Sequence, residues 1–214
     1  MIIYKINKKD NIVCFFMLTC LLGYVFFPAG GFFQYQLTSI IFLILLPFIF
    51  SKYFLHKNLF KCLKFKIEKI NSLRSLAIGL MLSFVLIALL FEFTDLGMHY
   101  LLSPVVKNNF FDFLLYEFTG VAFTLILYEI FFRGFVMGYF KESIGAWSIL
   151  IQFLFFLVMI GLLNLPYWFF VLYLIFTPFA GLIYYATNSI IYSFLGQLFF
   201  IILVDATFIA LTVK

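Results

Sequence analysis

Charge is what this chain has least of. Asp, Glu, Lys and Arg make up 11% of its 214 residues, against about a quarter in soluble domains. So thin a supply cannot cover a water-facing surface. Histidine is nearly absent, with only His56 and His99. The cysteines are Cys14, Cys20 and Cys62. They have no metal-ligand spacing and suggest no disulfide framework. They read as free thiols packing as small hydrophobes. Glu92, Asp95 and His99 lie together at the end of an apolar run. With no second histidine nearby they read as its polar edge, so no metal or cofactor is expected. Short alternating segments are missing too, which excludes a transmembrane barrel.

Apolar residues fill the space. Hydrophobic side chains make up 66% of the sequence and aromatic ones 23%, and the mean hydropathy is +1.17. The apolar runs are about 20 residues long, enough to cross a bilayer as helices. The expected fold is an all-α polytopic transmembrane bundle of about seven spans. Taken in order, the spans are 11–27, 37–55, 75–93, 112–140, 147–163, 167–186 and 190–213. Pro47 and Pro178 fall inside spans two and six and are expected to kink them. Span four is longer than the bilayer needs and should tilt or break. Its Gly134 and Gly138 make a small-xxx-small pair. Asn164-Leu165-Pro166 and Thr187-Asn188-Ser189 read as tight turns, with Ser189 as an N-cap. The first span has a charged start like that of a signal peptide, but is read as retained.

The net charge of +5 is concentrated at Lys5, Lys8 and Lys9 and between Lys52 and Arg74. Beside membrane spans, such charge reports topology and anionic lipid, not nucleic acid. Between residues 57 and 73, apolar and basic positions alternate at helical spacing. That pattern fits an amphipathic helix lying on the cytoplasmic face. Seven spans with the N-terminus inside also place Lys141 inside, so the expected topology is N-in, C-out. Two regions follow: 1–110, with three spans and the interfacial helix, and 111–214, with four spans.

Polar residues within the last four spans carry the functional interest. Glu129 and Arg133 are four apart, on one helix face, within reach of each other. They precede Lys141 by twelve and eight residues, or roughly 18 and 12 Å of helix. Gln152 and Gln197 lie at a similar depth, so the four can converge in the inner half of the bundle. Glu117 and Asp205 lie farther out as structural polar groups. An ionisable pair at this depth is either an ion pair orienting helices or a functional carboxylate held by its arginine.

Glu129-Ile130-Phe131-Phe132-Arg133-Gly134, with Trp147 fourteen residues after the arginine, resembles the first motif of the CPBP intramembrane proteases. These are also called Abi or CAAX-protease-like proteins. The resemblance covers roughly residues 110–214 and implies a CPBP-like four-helix core. In that family a Glu-Glu-x-x-x-Arg motif supplies the carboxylate that activates water. Later Phe-x-x-x-His and His-x-x-x-Asn/Asp motifs polarise the peptide. Here Tyr128 stands at the first Glu, and Gln197 at the later His. No histidine follows Arg133. A phenol is a poor base near neutral pH, and glutamine cannot shuttle protons.

The leading expectation is therefore a protease-like membrane protein without catalysis. It would bind a membrane-embedded peptide or a lipidated partner in a cavity lined by Tyr128, Gln152 and Gln197. One rival is a weakly active endopeptidase with Glu129 as general base and Arg133 beside it. Another is a transport or channel subunit, though no internal repeat is evident. The heavy use of Phe, Ile and Lys suits a prokaryotic cell membrane.

Overall fold

The computed structural model describes residues 8–56, 71–96, 109–165 and 167–212. The expected interfacial helix at 57–73 falls almost wholly outside them, as do Lys5, His99 and Lys107. The described residues are helical and contain no strand. Helix α1 is Lys8–Phe26, α2 is Phe32–Tyr53 and α3 is Asn71–Phe93. Helix α4 is Phe110–Ile144, and α5 is Trp147–Leu163. A short 3-10 turn over Tyr167–Phe170 leads into α6, Val171–Thr187, and α7 is Ile190–Thr212. Five of these are long and apolar enough to cross a membrane, and α5 and α6 are shorter apolar helices. The chain is an integral membrane protein.

Local chemistry explains the helix ends. Asn109 caps α4. Its Oδ1 accepts from the Asp112 N–H at 2.8 Å, and its Nδ2 donates to Asp112 Oδ2 at 2.8 Å. The first bond satisfies an otherwise idle N–H of the first turn, and the second ties the two side chains together. At the far end Gly145 takes φ 59, which glycine adopts without penalty. Asn164 and Asn188 end α5 and α6 in the left-handed conformation, as the two expected turns require. Ser189 does not cap α7 through its side chain, because its buried hydroxyl makes no hydrogen bond. The Thr187 hydroxyl does the local work, accepting from the Ser189 N–H at 3.2 Å.

Two helices change their winding. In α2 a π turn covers Ile41–Leu45, just ahead of Pro47. Proline has no N–H and crowds the carbonyl four residues back, and a widened turn there makes room for it. Helix α4 is continuous rather than broken. It passes from α to π winding at Glu117–Val121 and again at Glu129–Met137. Both π segments begin at a buried glutamate.

The chain divides into two compact units, each built from two stretches. The first joins Met1–Lys64 to Leu127–Asn164, and the second joins Phe65–Ile126 to Leu165–Lys214. In the first, α1 packs on α2 and α5, and α5 packs on the second π segment of α4. In the second, α6 packs on α3 and α7. That core holds Leu125, Phe176, Ala180, Ile183 and Phe200. Phe200 meets Phe84 edge-on at 5.1 Å and stacks on Phe176 at 5.4 Å. Large apolar side chains such as Phe15, Met81 and Phe118 point outward. That is natural when the surroundings are lipid, where helices associate by close packing rather than by fleeing water.

Candidate functional site

Glu129 and Arg133 lie in the second π segment of α4, within the first unit. Both are completely buried, and Arg133 is among the largest side chains to be so. Arg133 Nη1 stands 3.6 Å from Glu129 Oε1. The expected ion pair is therefore present. Opposite charges at this distance offset much of each other's desolvation cost, which neither could bear alone.

The segment that carries the pair also carries a cluster of packed aromatic rings. Phe131, Phe132 and Phe135 come from the same π segment and are fully or almost fully buried. Phe132 meets Phe156 of α5 edge-on at 5.2 Å, and Phe131 meets Phe132 likewise at 5.1 Å. Phe135 meets Phe16 of α1 and Phe50 of α2 edge-on at 6.1 and 6.3 Å. Phe16 and Phe50 are themselves stacked at 3.9 Å. Edge-to-face contacts of this kind each add about 0.5–1.5 kcal/mol beyond their area.

Tyr128 immediately precedes the π segment. Its ring packs edge-on against Phe132 at 6.0 Å and Phe156 at 5.9 Å. Its hydroxyl faces the Tyr24 hydroxyl of α1 at 3.3 Å. Gln152 is completely buried on α5, one helical turn before Phe156. It thus lies on the face of α5 that packs against Tyr128 and Phe132. Tyr128, Glu129, Arg133 and Gln152 all belong to the first unit.

Gln197, Glu117 and Asp205 belong to the second unit. Gln197 is buried on α7. Glu117 opens the first π segment of α4 and is completely buried, and its carboxyl interacts with that of Asp205 on α7. The sequence marks both acids as structural but does not show them paired. Among the described residues no group of three or more His, Cys, Asp or Glu side chains could hold a metal ion.

Sequence reasoning overlooked Tyr24, Tyr35 and Asp10. Tyr24 is a polar-tipped residue inside a span, a signal that was available. Asp10, in the first turn of α1, accepts a 2.9 Å hydrogen bond from the Tyr139 hydroxyl of α4. That joins the start of the chain to the site helix.

A buried ion pair in a π-wound span that also carries packed aromatics defines a polytopic membrane protein with a polar site inside its helices. Residues 109–203 match the family model described as type II CAAX prenyl endopeptidase Rce1-like. The stretch runs from the cap of α4 into α7 and contains Glu129, Arg133, Gln152 and Gln197. Over that stretch the chain is similar to CAAX-type endopeptidases, consistent with the CPBP resemblance of its sequence. No curated protein and no solved structure matches the chain.

Proposed function

We propose that this protein is a CAAX-protease-like membrane protein that binds a membrane-embedded or lipidated peptide and does not cleave it. The observation that carries this reading is the pairing of a retained ion pair with a missing proton-transfer set. Glu129 and Arg133 stand buried side by side at 3.6 Å. The neighbouring position, a carboxylate in the resembling family, is Tyr128, and no histidine follows Arg133. Hydrolysis of a peptide needs a base poised near the working pH and donors aimed at the oxyanion. Glu129 faces the guanidinium, and the amides of Gln152 and Gln197 donate hydrogen bonds without relaying protons. A cluster of aromatic rings on the same segment suits contact with an acyl or prenyl chain that has a short peptide attached.

The cell membrane of a prokaryote, with the N-terminus and the α4–α5 turn on the cytoplasmic side, is the setting this reading assigns. Photo-crosslinking tests the binding. A prenylated peptide carrying a photoreactive group is offered to the protein in vesicles. Crosslinks to the α4–α5 stretch, competed by unlabelled prenyl peptide, are the expected result. Crosslinking that a prenyl peptide cannot compete removes the proposed ligand class. The rival reading, a weak endopeptidase with Glu129 as base, requires cleavage of such a peptide that is lost in Glu129→Gln.

A further inference from the structure

Three tyrosines from three helices meet at their hydroxyls within the first unit. Tyr24 is on α1, Tyr35 on α2, and Tyr128 on α4 directly before Glu129. The Tyr24 hydroxyl is hydrogen-bonded to that of Tyr35. Its distance to the Tyr128 hydroxyl is 3.3 Å. Tyr24 and Tyr128 are buried, whereas Tyr35 is 40% exposed. The Tyr24 and Tyr35 rings are tilted at 5.8 Å. Within α2 the Ser39 hydroxyl donates to the Tyr35 carbonyl at 2.7 Å.

A phenol both donates and accepts, so three in a row can satisfy one another without water. A hydroxyl buried among apolar groups without a partner is costly. The chain of phenols therefore favours one register of α1, α2 and α4 over others. Ring packing alone does not, because phenylalanine would fill the same space. Tyr128 also leads directly into the π segment that carries Glu129 and Arg133.

We infer that Tyr24, Tyr35 and Tyr128 form a positioning cluster that fixes the start of the π segment to the first two helices and keeps Glu129 shielded. The cluster gives α1 and α2 a role beyond crossing the membrane. Its partly exposed end, Tyr35, is where a change in α2 reaches the site. The inference goes beyond the binding reading and holds whether the site binds a peptide or cleaves one.

The test uses the full chain in lipid vesicles and an apolar carbodiimide, which modifies carboxyl groups in hydrophobic surroundings. Modification is followed by mass at the Glu129 peptide and, separately, at the Glu117 peptide. Tyr24→Phe and Tyr128→Phe keep the rings and remove one hydroxyl each. Either should speed modification of Glu129 by roughly two- to tenfold, the size expected from one hydrogen bond. The double variant should be no faster than the faster single, since both lose the same link. Tyr35→Phe should give a smaller rise. Glu117 modification should stay constant throughout, and so should Glu129 modification in Tyr53→Phe, whose side chain is 69% exposed. Unchanged Glu129 modification in Tyr24→Phe and Tyr128→Phe overturns the inference. An equal rise at Glu117 also overturns it, since that means general loosening. If the interior variants do not assemble, Tyr35→Phe decides: a rise at Glu129 supports the cluster, and no rise refutes it.

Discussion

At Arg133 the guanidinium has no exposed surface, and Glu129 supplies a negative charge 3.6 Å away. Removing one member of a buried pair leaves the other without that counter-charge. This typically costs about 3–5 kcal/mol, whereas replacing both by apolar groups of similar volume is often neutral. Arg133→Met should therefore sharply lower the unfolding temperature in detergent. Adding Glu129→Leu to it should recover much of the loss. Additive losses in this double-mutant cycle would show that the two side chains act independently. The pair was legible in the sequence because an i,i+4 Glu–Arg spacing specifies a shared face whatever packs around it. The tyrosine cluster was not. Tyr24 and Tyr128 are 104 residues apart, and their meeting depends on the register between helices.

Among the elements, α4 carries most of the functional residues, and its winding is its distinctive feature. Two π segments lie in one helix, and each starts at a buried glutamate. π turns occur mostly within α-helices and often at functional sites. No periodicity in the sequence announces them, because α4 carries apolar residues on every face. Helix α5, in contrast, has the bounds 147–163 expected of it, since Gly145 and Asn164 punctuate a largely apolar run. Helix α2 starts five residues earlier than expected, at Phe32 instead of Leu37. The polar Gln34 and Gln36 masked its first turn, although the Gln34 side chain accepts from the Gly30 N–H at 2.7 Å and helps set that start. Close approach of helices is concentrated at glycines the sequence reading did not single out. At Gly196 of α7 an added Cβ would come within 2.7 Å of Leu76 on α3 and 3.1 Å of Phe176 on α6. Gly196→Val should destabilise the second unit by about 1–3 kcal/mol, the usual cost of overpacking. Thermal unfolding checks this, and an unchanged midpoint would mean that α7 moves freely at this point. Gly23→Ala makes the same test in the first unit, where a Cβ would run into the Phe42 ring of α2.

For the whole molecule, the proposed orientation in the membrane rests on the basic residues. Lys8, Lys9, Lys52, Arg74 and Lys141 fall on one side if the seven helices cross in turn. A single cysteine placed at exposed Glu142, in a background with the native cysteines replaced, should react with a membrane-impermeant thiol reagent only after the cytoplasmic face is opened. Reaction in sealed cells would invert the topology. The family likeness to CAAX-type endopeptidases covers residues 109–203. The role proposed for the residues within that stretch is binding rather than hydrolysis. The measurement that bears most directly on this claim follows one prenylated peptide with the purified protein in vesicles, recording retention and cleavage together. The account predicts saturable retention of intact peptide, weakened by Arg133→Met, with no cleavage product from the wild type or from Glu129→Gln. A cleavage product formed by the wild type and abolished in Glu129→Gln would contradict it.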